Sequence, residues 1–97
     1  MKTFKDLVFQ VRRSGGIQAR MPLGNGFNIS VVGGKHVYST PKENKDSPDD
    51  FDLFEVAIFD SNDAFATEQF VPNHDDDVLG WQDRGQITAL MLLVQSK

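Results

Sequence analysis

The chain contains no cysteine. Disulfides and thiolate chemistry are therefore excluded, and the fold must rest on packing and hydrogen bonding. Tryptophan and tyrosine occur once each against eight phenylalanines, so the aromatic content reads mainly as core. Nothing approaches the ~20 apolar residues of a membrane span. The opening Met1–Asp6 has no apolar run of signal-peptide length, so the expected compartment is the cytoplasm. Gly-x-Ser-x-Gly is missing, and no Ser, His and Asp stand in a nucleophile context. Gly24-Asn25-Gly26 is followed by strand-like residues instead of a helix N-terminus, so it lacks the converging N–H groups of a phosphate loop.

What is present describes one folded domain. A length of 97 residues supports one core, and 39% hydrophobic with 25% charged residues is a globular composition. The net charge of −4 hides a strong polarity. Residues 1–42 carry seven bases and one acid, whereas residues 43–97 carry three bases and thirteen acids. Such asymmetry either marks a binding surface or is neutralised internally when the halves pack together.

Leu7, Phe9 and Val11 alternate with Val8, Gln10 and Arg12, and Ile17, Ala19 and Met21 with Gln18 and Arg20. Phe27, Ile29 and Val31 then alternate with Asn28 and Ser30, so three half-buried strands are predicted. Asn25-Gly26 supplies the two positive-φ positions of a type I′ hairpin turn between the second and third. Leu53–Phe59 is apolar at nearly every position, as a central strand would be, and Ala64–Phe70 reads as a final strand ended by Pro72 and Asn73. Ile87, Leu90, Met91 and Val94 recur at helical spacing, and Asp83 and Gln86 stand at capping-box spacing, which predicts a helix over 83–95. Trp81 and Leu79 are expected to anchor the chain as it enters this helix. The fold class is therefore α+β: an antiparallel four- to five-stranded sheet with one C-terminal helix packed on one face. Residues 39–50 contain no apolar side chain, two prolines and a run of charges, which predicts an exposed loop, of which 40–50 is expected to be mobile and dispensable for folding.

Candidate chemistry is sparse. His74-Asp75-Asp76-Asp77 joins an imidazole to carboxylates, but consecutive carboxylates cannot all converge on one ion and no EF-hand register is present. Neither a metal nor a cofactor is expected. Arg12, Arg13, Arg20, Lys35 and His36 form a basic set, yet Phe9 and Phe27 lie on the apolar phase of their strands and the net charge is acidic, so nucleic-acid binding is not expected. Asp46, Asp49, Asp50, Asp52, Asp75, Asp76 and Asp77 are the candidate partner-binding residues. With Asp60, Asp63 and Glu68 they would make the charge array of an acidic nucleic-acid mimic.

Three stretches in order, Asn25-Gly26-Phe27-Asn28-Ile29-Ser30-Val31-Val32, Leu53-Phe54-Glu55-Val56-Ala57-Ile58-Phe59 and Asp76-Asp77-Val78-Leu79-Gly80-Trp81, resemble a pattern in small proteins encoded by tailed bacteriophages. That pattern has an Asn-Gly-Tyr/Phe hairpin, a Phe/Tyr-Glu-Val-Ala strand and an Asp-Asp-Val-Leu/Ile-Gly segment before a C-terminal helix. The charged segment 39–50 departs from the shorter Tyr/Gly-rich link expected there. Small size, the lack of catalytic groups and the exposed charged loop, taken with this resemblance, give the expectation of a non-enzymatic phage-type accessory protein acting in the host cytoplasm on a macromolecular partner, expected to be a host protein, as a monomer or small homo-oligomer. The resemblance carries over no functional residue. The alternatives are a virion-associated or self-assembling structural protein, for which the charge split offers a head-to-tail contact, and the acidic mimic.

Overall fold

The hairpin turn organises the sheet. In the computed structural model, which describes residues 1–72, 74 and 76–97, strands β2 (Ile17–Gly24) and β3 (Phe27–Gly33) meet at Asn25 (φ 55°) and Gly26 (φ 83°). These are the two left-handed positions that a type I′ turn requires. A register shift between Pro22 and Gly24 adds a bulge beside the turn. Ala19 pairs with Val31 and Met21 with Ile29, so the predicted apolar phases of both strands fall on one face. β4 (Phe54–Phe59) pairs antiparallel to β3, setting Val56 beside Val31 and Ile58 beside Ile29. β1 (Gln10–Val11) and β5 (Leu79–Gln82) complete a five-stranded antiparallel sheet among the described residues, in the chain order β1-β2-β3-β4-β5.

Two helices accompany the sheet: a single turn, α1 (Thr67–Phe70), and the C-terminal α2 (Arg84–Gln95). Asp83 caps α2 as its spacing predicts. Its Oδ1 accepts the Gln86 N–H at 2.7 Å, and Gln86 Oε1 accepts the Asp83 N–H at 2.9 Å. Ile87, Leu90, Met91 and Val94 are buried against Ile17, Ile29, Val31, Phe54, Val56 and Ile58. The α+β architecture read from the sequence is thus the observed one. Phe27, expected in the core, is only partly buried and packs edge-on against Phe70 at 5.0 Å.

Two local expectations are corrected. Only Gln10 and Val11 of the first alternating segment join the sheet. Asp6 accepts the Thr3 N–H at 2.8 Å and Phe4–Asp6 curl into a 3₁₀ turn, which carries Phe4 and Phe9 onto Phe54 while Val8 and Val11 face solvent. Ala64–Phe70 is not a strand. After one bridge between Phe59 and Phe65 the chain turns into α1, because Thr67 places its hydroxyl on the β4 ladder. That hydroxyl accepts the Ile58 N–H at 2.9 Å and donates to the Asp77 carbonyl at 2.7 Å. The strand beside β4 is instead Leu79–Gln82.

Segment 39–50 has no buried side chain beyond Ser39. Its charged side chains are exposed, but the segment is tied to the domain. Buried Ser39 accepts the Gly34 N–H at 3.1 Å, with its Oγ 3.0 Å from both the Gly34 and Pro41 carbonyls. Thr40 pairs with Leu53, Asn44 accepts the Lys35 N–H at 2.9 Å, and Arg84 donates to the Pro48 carbonyl at 2.7 Å. Phe51, just beyond, is fully buried on Gly33, where a Cβ would lie 2.9 Å from its ring.

Candidate functional site

The sheet has one face under α2 and one without a helix. Strand parity puts Gln18 and Arg20 of β2, Asn28, Ser30 and Val32 of β3, and Glu55, Ala57 and Phe59 of β4 on the open face. Its polar groups engage one another. Gln18 donates to Ser30 at 3.1 Å, and Arg20 pairs with Asp63 while its guanidinium lies 4.5 Å above the Phe59 ring. Phe65 covers Phe59 from the side at 4.7 Å. Toward β1 the face continues into a groove of ≈ 440 Å³ lined by Val8, Gln10, Val11, Arg12, Gln18 and Arg20.

At the β5 edge stand the one Tyr and the one Trp of the chain. Tyr38 and Trp81 stack with centroids 5.0 Å apart and planes 29° from parallel. They remain 42% and 53% exposed. The Trp81 N–H donates to the Tyr38 carbonyl at 2.9 Å, and the Tyr38 N–H donates to the Glu55 carboxylate at 2.8 Å. Gly80 makes room for this arrangement, since a Cβ there would sit 2.8 Å from the Tyr38 Cβ. Lys42 adds its ammonium 5.5 Å from the Tyr38 ring centroid.

Trp81 has φ +53°, a left-handed backbone that costs a bulky residue about 1–3 kcal/mol. This conformation explains why the expected anchor is not in the core. Leu79 and Trp81 share a phase, and a regular strand would bury both. The register instead shifts between Phe54 and Val56, so that Leu79 is buried while Trp81 faces solvent. Tyr38 was not singled out by the sequence pattern. The only hint in the sequence was Gly80 beside the lone Trp.

The candidate acidic residues fall into two groups. Asp46, Asp49, Asp50 and Asp52 are exposed just before β4, with Asp49 and Asp50 in the 3₁₀ turn Pro48–Asp50. Asp76 and Asp77 are exposed before β5, at the opposite end of β4, because Asp77 is tied through Thr67 to Ile58. At about 3.3 Å per residue the strand holds the groups roughly 15–20 Å apart. Asp75 lies outside the described residues.

His74 approaches the Val78 carbonyl through Nε2 at 2.7 Å. Among the described residues no group of three or more His, Asp or Glu is placed to hold a metal ion. Phe9 and Phe27, the rings a nucleic-acid platform would use, pack on the core. Among the described residues no helix is long and apolar enough to cross a membrane. Comparison with protein-family models, with curated proteins and with solved structures finds no match to the chain.

Proposed function

We propose that this chain is a non-enzymatic accessory protein that binds a partner protein through its open sheet face, with Trp81 as the anchor. The observation that carries the reading is the strained, half-exposed Trp81 stacked on Tyr38. Tryptophan, tyrosine and arginine dominate binding energy at protein interfaces; this face offers Arg20, and its β5 edge offers Trp81 and Tyr38. The side-chain polar groups Gln18, Ser30, Arg20, Asp63 and Glu55 already have partners, so covering them leaves few unmet hydrogen bonds. The resemblance to small tailed-phage proteins supports a host protein as that partner and the host cytoplasm as the compartment.

The test compares immobilised wild-type protein with Trp81→Ala and with Asp49→Asn/Asp50→Asn in capture from a bacterial lysate. A host protein held by the wild type and by the acidic variant, but released by Trp81→Ala at unchanged melting temperature, is the expected result. Equal retention by Trp81→Ala would overturn the proposal. Loss with the acidic variant alone would favour the carboxylates as the contact.

A further inference from the structure

The second unpartnered surface lies on the other side of the molecule, along the outer stripe of α2. From Gly85 to Ser96 the helix has no charged residue, in a chain of which 25% is charged. One stripe, Ile87, Leu90, Met91 and Val94, is buried on the sheet. The opposite stripe, Gly85, Ala89, Leu92, Leu93 and Ser96, recurs at helical spacing and faces solvent, with Leu92 37% and Leu93 40% exposed. A helix that is apolar on both faces is normally covered on both.

We infer that a second copy of this chain covers it, in a two-fold dimer with the two α2 helices antiparallel. A two-fold contact must be self-complementary, and this stripe is. Its N-terminal half is small and recessed: Gly85 borders a hollow of ≈ 460 Å³ lined by Thr3, Phe4, Lys5, Arg84, Gly85 and Thr88. Its C-terminal half carries the projecting Leu92 and Leu93. Antiparallel pairing about Ala89 sets each leucine pair against the other copy's hollow, and the small Ala89 side chains at the axis allow close approach. Lys5 at the rim keeps its ammonium in solvent on its flexible stem. A seam only about 18 Å long is small beside the roughly 1,200 Å² of a stable interface, so the dimer is reversible and weak. The open sheet face remains free in it, and the two proposals stand independently.

Sedimentation of the intact chain from micromolar to millimolar concentration reads the dimer directly. Leu93→Glu should lower the association constant at least roughly tenfold, since each dimer would bury two unpaired carboxylates, with circular dichroism and melting unchanged. The absence of cysteine provides a second readout. On mild oxidation Ala89→Cys should give a disulfide-linked dimer, while Glu68→Cys on α1 stays monomeric under the same conditions. Added salt should leave the association unchanged or strengthen it, whereas a head-to-tail contact between the basic and acidic halves would dissolve as the Debye length falls from ~10 Å at 0.1 M to ~3 Å at 1 M. A monomer at every concentration, a dimer indifferent to Leu93→Glu, or one dissolved by salt would overturn the inference.

Discussion

Replacing Thr67 by valine isolates the contact that diverts the chain from a strand into α1. Thr67 is 1% exposed, and its hydroxyl joins the Ile58 N–H to the Asp77 carbonyl. Valine keeps the shape and removes both hydrogen bonds. The Ile58 N–H is then buried without an acceptor, at about 1–3 kcal/mol, and the bond to Asp77 contributes about 1 kcal/mol more. Because Asp77 is exposed, water can reach its carbonyl, which favours the lower half of that range. The expected total is about 2–4 kcal/mol. Thr67→Ser keeps the hydroxyl and loses one methyl, for about 1 kcal/mol. Urea unfolding of the two variants should rank valine below serine at equal m-values, and thermal unfolding should lower the valine variant by roughly 10–25 °C. Equal stability, or a less stable serine variant, would show that the methyl packing and not the hydroxyl holds this junction.

Phe54→Ala should cost about 3–5 kcal/mol in urea unfolding, because Phe54 is fully buried and meets the rings of Phe4, Phe9 and Phe51 at 5.3–5.8 Å; a loss below about 1 kcal/mol would contradict this core. Ser39→Ala should cost about 1–3 kcal/mol by leaving the buried Gly34 N–H without its acceptor. Hydrogen exchange at Gly34 should accelerate in that variant, and unchanged protection would show that the loop is not held through Ser39.

The sequence was most legible where one residue type can satisfy a backbone demand or where a period runs unbroken. Asn25-Gly26, the β2 and β3 alternations and the α2 stripe all emerged where expected, because turn conformation and burial ask for the same residues. It misled where a side chain replaced a backbone partner. Thr67 in an apolar, β-prone run looks like a strand residue, and only its position opposite Ile58 makes it a ladder cap. Composition likewise described the side chains of 39–50 correctly while saying nothing of Ser39, Asn44 and the Pro48 carbonyl, whose partners Gly34, Lys35 and Arg84 lie outside the segment. The Tyr38–Trp81 pair was hidden for a further reason. Exposure of Trp81 depends on one left-handed residue, which breaks the parity that any pattern of alternation assumes.

The order of the sheet gives the charge asymmetry a spatial meaning. In a meander each strand lies beside its sequence neighbours, so the polarity of the chain is carried across the sheet. The basic half contributes β1, β2 and β3, and the acidic half contributes β4, β5 and α2. Side-by-side packing could still have cancelled the charges, yet among the described residues the ion pair that crosses the divide is Arg20 with Asp63, while Lys45 with Glu43 stays within one loop. The strand order thus separates formal charges, with Arg12 and Arg20 toward β1 and the acidic groups at the two ends of β4, and charges so separated set up a field. Such a field orients an approaching partner and raises its encounter rate, but it adds little to the energy of the final contact in salt. In the proposed binding role affinity comes from desolvated surface, and the half-exposed aromatic surface at the β5 edge is Tyr38 and Trp81. In that proposed role charge and aromatic anchor would serve separate steps, encounter and retention, and the acidic residues would matter to binding without being its site.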